Sequence, residues 1–504
     1  MRKLKMNRAN QFAKLTELIS EVENINGATC VLYWDQNTYM PAQGVAGRGR
    51  QIATLGKIAH EKMTSSEVGR LLDDLTQYEE ELPYSSFESS FLRCVRRNYN
   101  RSLKIPGQFI SDMLTHQSVC YDAWIKAKEE NNFKLVQPLL EKTLEYSKKY
   151  ADFFEYKHIA DPLIEDSDFG FTTETVQKIF SDLRQELVPF VKGVLLNKTP
   201  DDSCLRKNYP ISLQEQFSKK IIEKLGYDFN RGRLDTTHHP FMITFSHGDV
   251  RITTRYQENF LTESIFSTIH ETGHAFYEMG CDVSLDGTPL FGGTSSGVHE
   301  SQSRLWENIV GRSYAFWEYF YPFLQSEFPE QLNSVSLKEF YLAINKVSAN
   351  LIRTDADELT YNLHVMIRFQ LELEMLEGKL KVKDLPEAWN AYYLKDLGLK
   401  VPSDSLGCLQ DTHWYGSLIG GQFQGYTLGN IMSAQFYEAA EKAIPNLSSQ
   451  FKEGHFSPLK NWLEQNLHKY GKKFKGLEVL KRATQKDLTI EPYMNYLRKK
   501  FPIK

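Results

Sequence analysis

The sequence predicts a mostly α fold, one large helical body that carries a small β-hairpin. Three observations point there. Proline is absent from 42–82, 107–137, 330–385 and 403–444, and interior proline is the residue that most sharply breaks a helix. Within those runs and between them, apolar side chains recur at three- and four-residue spacing. No internal repeat, low-complexity tract or flexible linker divides the chain.

A chain of 504 residues has room for one such body, or for about three domains at ~150 residues each. At that size a core needs no covalent staples. Lys+Arg 60 against Asp+Glu 64 leaves a net charge of −4, which lacks the basic footprint of a nucleic-acid binder. With 41% hydrophobic and 13% aromatic residues the chain can fill a core, so it is not disordered. Cys30, Cys94, Cys120, Cys204, Cys281 and Cys408 are widely spaced with no CxxC pair, the pattern of reduced structural thiols.

The elements follow in order. The N-terminal MRKLKMNRANQFAKLTELISEVENI is basic and never becomes an apolar h-region, so it does not read as a Sec-type signal. No stretch reaches the ~18 consecutive apolar residues of a membrane span, and a cytoplasmic protein without membrane partners is expected. After Thr172-Thr173-Glu174, a helix start, Val176, Ile179, Phe180, Leu183 and Leu187 fall on one face. In 239–256, Phe241, Ile243 and Phe245 alternate, Ser246-His247-Gly248-Asp249 supply a turn, and Val250 and Ile252 alternate on the return, a hairpin pattern. A helix over 262–280 follows, ended by Gly280, with Ile265, Phe266, Ile269 and Phe276 predicting burial. Phe340, Leu342, Ile344 and Val347 mark another helical stretch. Residues 440–504 read as solvated helices that close the fold.

The chemistry concentrates in the helix over 262–280, which contains His270-Glu271-Thr272-Gly273-His274. Residues four apart share a helix face, so both imidazoles reach one ion. Glu271 follows the first of them, placed to take a proton from a metal-activated water as general base. From the composition, this pattern arises by chance only about 0.04 times per chain of this length. His60-Glu61 and His299-Glu300 are also His-Glu pairs, yet neither has a second histidine four residues after the first. The plain alternative is two core histidines satisfied by hydrogen bonds.

A catalytic zinc takes three protein ligands and keeps one position open. Glu278 shares the helix face but lies ~12 Å along the axis from His270 at 1.5 Å per residue, too far to join. Glu300, on a second helical pattern beyond the glycines Gly280, Gly287, Gly292, Gly293 and Gly297, is the preferred third ligand, with Glu307 as the rival. Packing the second pattern antiparallel on the first would bring Glu300 to the pair.

Further segments carry a resemblance. His239-Pro240-Phe241, Asp249-Val250-Arg251-Ile252-Thr253, HETGH, His299-Glu300-Ser301-Gln302, Ile352-Arg353-Thr354-Asp355-Ala356-Asp357 and Gly407-Cys408-Leu409-Gln410-Asp411-Thr412-His413-Trp414 occur in that order. Leu32-Tyr33-Trp34-Asp35-Gln36 through Met40-Pro41 precede them. In these motifs the chain resembles the M32 family of metallocarboxypeptidases, the thermostable carboxypeptidase family. The resemblance implies a single mostly α peptidase domain over 1–504 with a long central groove. Helices over roughly 1–160 would roof the groove, over a catalytic body of 161–504. It further implies a homodimer, peptide substrates shortened from the C-terminus, and one divalent metal. Zinc is the first choice and cobalt the alternative, since a site of two His and one Glu also accepts cobalt or manganese. On this pattern His270, His274 and Glu300 are the ligands and Glu271 the base.

An exopeptidase of this kind must read a terminal carboxylate, for which an arginine fork is best suited. Arg353 is the matching residue, with Asp357 as its orienting partner and ion pairs to Asp355 or Asp357 as the plain alternative. His413 and Tyr426 are expected to hydrogen-bond the oxyanion or else to line the groove. His239 and Phe241 open a strand able to pair with extended substrate, or one that only buttresses the helix. Two positions depart from the family pattern: Asp355 replaces a Glu, and GSLIGGQFQGYTLGN replaces an aromatic-proline turn. An endo-oligopeptidase is the alternative enzyme reading, and a binding protein with a relic site the non-enzymatic one.

Overall fold

The computed structural model describes residues 7–503, so the first six residues of the basic N-terminal stretch lie outside the described residues. The chain is mostly α with one three-stranded sheet. Helix α1 (Arg8–Thr38) starts at Asn7, whose side chain accepts the Asn10 N–H, and buries Leu15, Ile19 and Val22 on one stripe. It pairs with α2 (Val45–Met63). With α3 (Phe87–Lys104), these helices enclose a smaller core that includes Leu71, Phe91 and Val95 and is closed by Leu285 and Leu290. The larger core begins at α4 (Gly107–Glu129) and α5 (Gln137–Asp152) and runs to Phe501.

Helix α6 (Thr173–Val194) is capped as its sequence predicts. Thr172 accepts the Thr175 N–H, and Val176, Ile179, Phe180, Leu183 and Leu187 are all buried. After α7 (Ile211–Leu225) come strands β1 (Leu234–Thr236), β2 (Met242–Ser246) and β3 (Asp249–Thr254) in the order β1-β3-β2. The β2–β3 hairpin is the expected one, with Ile243 opposite Arg251 and Thr244 opposite Val250. β1 pairs parallel to β3 and was not predicted, because three residues are too few to show alternation.

Helix α8 (Leu261–Met279) lies on β3 and is buried along most of its length. Helix α9 (Ser296–Arg304), capped by Ser295, continues into a π-helical turn at Leu305–Val310. The two helices run antiparallel, as His270 meets Glu307 and Glu278 meets His299. They are in backbone contact at Gly273, where a Cβ would sit 2.6 Å from both Gln302 O and Ser303 Cα. Gly297 belongs to α9 rather than to the connecting turn. Helix α10 (Tyr361–Leu376) and helix α11 (Gln424–Ala443) complete the centre, and α11 crosses α9 closely enough that a Cβ on Gly429 would lie 2.6 Å from Glu300 Cγ.

Two expectations change. The helix around Phe340 spans Leu337–Ile344, stopping short of Val347 and leaving Leu342 exposed. Residues 440–503 are not merely solvated: Leu459, Leu463, Val479, Leu480, Met494 and Leu497 join the large core. All six cysteines are free. Among the described residues no helix is long and apolar enough to cross a membrane.

Candidate metal centre

The α8–α9 packing brings His270, His274 and Glu300 together, with their ligand atoms within 4.8 Å of one another. Glu300 Oε2 stands 3.6 Å from His270 Nε2 and 3.4 Å from His274 Nε2. The other ring nitrogens are engaged. His270 Nδ1 donates to Glu307 Oε2 at 2.9 Å. His274 Nδ1 is 2.6 Å from His299 Nδ1, and His299 Nε2 donates to Glu278 Oε1 at 2.8 Å. With neutral rings, His299 then accepts from His274, and both ligand-type Nε2 lone pairs face Glu300. Two atoms each ~2.0–2.1 Å from a tetrahedral ion are about 3.4 Å apart, so this donor set fits one divalent metal. Glu307 bonds the far ring nitrogen of His270, and Glu278 bonds His299 behind His274, the arrangement of outer support around a histidine site.

Arg304 organises the acids. Its Nε donates to Glu300 Oε1 at 2.6 Å and its Nη1 to Glu307 Oε2 at 3.1 Å. Arg312 adds a contact to Glu307 Oε1 at 3.3 Å. Burial alone would raise both carboxyls, but Arg304 and His270 outweigh it. They hold Glu300 well below the usual carboxylate range and Glu307 down to about 2. Burial keeps His274 neutral, its pKa lowered to about 4. Glu271 differs. Its carboxylate accepts no hydrogen bond from any described residue, and burial pushes it up to about 7, with the Glu300 and Glu307 charges adding to the rise.

A second cluster surrounds Arg353, on a short turn at Arg353–Asp355. Its Nε and Nη2 donate to Asp411 Oδ1 at 3.1 and 2.9 Å, and its Nη1 to the Tyr361 hydroxyl at 3.0 Å. Asp411 Oδ2 takes the Nε of the fully buried Arg368, so one carboxylate bridges two arginines and lies well below its ordinary range despite its burial. The expected partner Asp357 does not orient Arg353. It accepts the N–H groups of Ser348, Leu359 and Thr360 and the Thr360 hydroxyl, which makes it a turn anchor. Among the described residues the Asp355 carboxylate accepts only from the Thr354 hydroxyl.

His413 and Tyr426 join this cluster. His413 Nε2 is 3.2 Å from the Tyr426 hydroxyl, its ring lies 4.5 Å from Phe423, and its buried Nδ1 has no hydrogen-bond partner. Burial and then the Arg353 charge lower His413 to about 4. The Tyr426 ring is 5.3 Å from the Arg353 guanidinium, and burial keeps its phenol protonated. His239 keeps an exposed surface, yet its partial desolvation and then the Arg353 charge depress it. Tyr361 links the two clusters, with the Arg304 guanidinium 4.6 Å over its ring and its hydroxyl on Arg353. Sequence reasoning missed Tyr361 and Asp411. Asp411 sat inside the quoted G-C-L-Q-D-T-H-W motif, but nothing local tied it to an arginine 58 residues away.

Arg251 pairs with Asp249 at 2.8 and 2.7 Å and stacks 4.4 Å from Trp34, joining α1 to the sheet. In the altered segment, Gly420 and Gly421 adopt φ of 106° and 73°, where a side chain would strain the backbone. Gln424 there donates to Asp168 Oδ2, whose other oxygen takes the Gly297 N–H at 2.7 Å. The departure from the family pattern is thereby anchored to the start of α9.

The description "Carboxypeptidase Taq (M32) metallopeptidase" matches residues 14–501. Carboxypeptidase 1 of Bacillus subtilis is 35% identical over 487 residues, 96% of this chain and 97% of that protein. Thermostable carboxypeptidase 1 of Thermus thermophilus is 36% identical over 501 residues, 97% of this chain and 98% of that protein. The crystal structure of an M32 carboxypeptidase from Deinococcus radiodurans R1 superposes with a TM-score of 0.95 at 45% identity, covering 98% of this chain and 99% of that one. The chain belongs to the M32 family of metallocarboxypeptidases.

Proposed function

We propose that the protein releases single amino acids from the C-termini of peptides, with Glu271 as general base and Arg353 as the anchor for the terminal carboxylate. The observation that carries this reading is the pairing of a His-His-Glu donor set with a buried arginine linked to it through Tyr361. His270, His274 and Glu300 would hold one divalent ion, zinc first and cobalt as the alternative. When bound, such an ion supplies Lewis-acid polarisation of the carbonyl and acidification of water.

The side chains do the rest. Three of the five Arg353 N–H groups are used by Asp411 and Tyr361, which leaves two for a carboxylate. Two arginines share one aspartate, so the pocket keeps one uncompensated positive charge for the substrate terminus. Glu271, free of competing donors, takes the proton of the attacking water and passes it to the leaving amine nitrogen. Tyr426, protonated and beside the Glu300 wall, donates to the developing oxyanion, with His413 and His239 holding the terminal residue. Peptides are the partners we propose. The assembly and place we propose, a cytoplasmic homodimer, accord with six free cysteines and with the family resemblance.

The test is mass spectrometry of one peptide, offered as free acid and as C-terminal amide, with added metal and with chelator. A metal-dependent ladder from the free acid alone is expected. Internal fragments from both forms would instead establish an endo-oligopeptidase and remove Arg353 from the substrate role.

A further inference from the structure

A cleft of about 880 Å³, whose lining does not include Arg353, opens between α3, the 472–475 loop and the start of α9 beside His274 and Glu300. His274, His299, Glu300 and Tyr426 form its inner end. A peptide whose last carboxylate sits on Arg353 and whose last carbonyl sits at the triad sends its upstream residues into this cleft. That direction rests on the carboxypeptidase reading above.

The charge of the cleft is one-sided. Lys472, Lys473 and Lys475 come from one loop, and no carboxylate lies within 4 Å of their ammonium groups among the described residues. Lys472 and Lys475 are exposed and Lys473 half-buried. Arg93 stands beside them, 3.8 Å over the Tyr84 ring, and donates only to uncharged oxygens, those of Ser89, Ser90 and the Lys473 carbonyl. The acids of the lining are committed elsewhere. Asp166 pairs with Arg101 and takes the Tyr150 hydroxyl. Asp168 takes the Gly297 N–H and the Gln424 amide, and Glu300 belongs to the triad. Glu23 is pushed up by burial, with Lys472 opposing. Arg97 is neutralised by Glu165. Among the described residues these four cations therefore make no direct ion pair, and the nearest acids act on them only from further off, Glu23 on Lys472 and Asp282 and Glu88 on Lys473.

We propose that this cleft is an acid-selective upstream subsite, in which Lys472, Lys473, Lys475 and Arg93 receive the aspartate or glutamate side chains of a peptide bound for C-terminal trimming. A cleft lined by one sign of charge concentrates a ligand of the other sign and holds it more tightly, an effect that salt screens.

The experiment compares two N-terminally labelled hexapeptides ending in Ala-Leu, one with three Glu upstream and one with three Gln. They are given to the metal-loaded full-length protein and to its Lys472→Gln/Lys473→Gln/Lys475→Gln variant, which keeps stems of similar length at solvent-facing positions. Leucine release is read as kcat/KM, and peptide binding separately by anisotropy. At low salt the Glu peptide is expected to be favoured by about tenfold, because it forms exposed ion pairs that the Gln peptide lacks. That preference is expected to fall to the small part Arg93 alone supplies in the triple variant and to vanish at about 0.5 M salt, while the Gln peptide changes little. Equal kcat/KM for the two peptides, or a preference that the triple substitution leaves undiminished, overturns the proposal. Absence of leucine release from both peptides would refute the carboxypeptidase reading instead. Anisotropy then decides the cleft: tighter binding of the Glu peptide, lost in the variant, upholds it, and equal binding overturns it.

Discussion

Side chains a few ångströms apart at the candidate metal centre have their charges driven apart by their surroundings. Glu300 and Glu307 are pinned by Arg304 and stay ionised, whereas Glu271, one residue from His270, has no donor and is pushed up by burial to about 7. Such separation of neighbouring carboxyls is how one pocket assigns a ligand and a proton carrier. Glu372 shows the same physics outside the centre. It is fully buried, accepts the Trp414 indole N–H at 2.9 Å, leaves Oε2 without a partner, and is pushed by burial to about 8. Its folded pKa lies above the ordinary 4.5, so between these values the folded chain holds a proton that the unfolded chain has lost. Stability is then fully present below about pH 4.5 and falls as pH rises to about 8. Glu372→Gln should remove this slope, so its Tm relative to the parent should rise from pH 5 to pH 8. An identical Tm difference at both values would contradict the assignment. At this scale the sequence was legible wherever partners are near in the chain. HETGH places His270, Glu271 and His274 by helical spacing alone, while Asp411 and Tyr361 reach Arg353 only through the fold.

The elements matter through how closely three helices approach one another. Gly273 on α8 lets α9 come into backbone contact, and Gly429 on α11 makes room for Glu300. The glycine inside HETGH therefore serves packing, a role the motif alone does not disclose. Gly429→Ala places a methyl on the Glu300 side chain and should shift the third ligand we propose. The expected result is metal affinity lowered by about tenfold or more, as for other disturbances of ligand support, with a stability loss of about 1–3 kcal/mol from overpacking. Competition with a chromogenic chelator measures the first and thermal unfolding the second. Unchanged affinity would show that Glu300 tolerates the crowding or is not a ligand. The α6 cap, the hairpin and α8 were readable from local pattern. β1 was not, because a three-residue strand acquires its identity only from the β3 edge it pairs with.

Across the whole molecule the chain is built on two cores, a smaller one spanning Leu15–Val95 with Leu285 and Leu290, and a larger one from Phe109 to Phe501. We propose that they form one peptidase domain, in which the N-terminal helices ride on the catalytic body as its roof. The last described helix, α12 (Glu491–Lys500), reaches back to the segment that follows α9. Lys500 Nζ pairs with Glu358 at 2.6 Å and donates to the Asn308 carbonyl at 3.1 Å, within the π-helical turn that follows α9. Both charged ends are buried. Lys500→Ala should leave Glu358 buried without its cation and cost about 3–5 kcal/mol. Calorimetry would show this as a clear fall in Tm, and no fall would mean that the pair is dispensable. The sequence read this tail as solvated because its basic residues are conspicuous, and the long-range partner that buries Lys500 is invisible locally.

The most direct test of the mechanism is Glu271→Gln, assayed together for metal content and for turnover of a free-acid peptide. The variant is expected to bind one divalent ion per chain with near-parental affinity, since Glu271 makes no contact with the ligand set's supporting bonds, and to lose at least about 10²–10³-fold in kcat. Retention of full hydrolysis with the metal in place would contradict the assignment of Glu271 as the base.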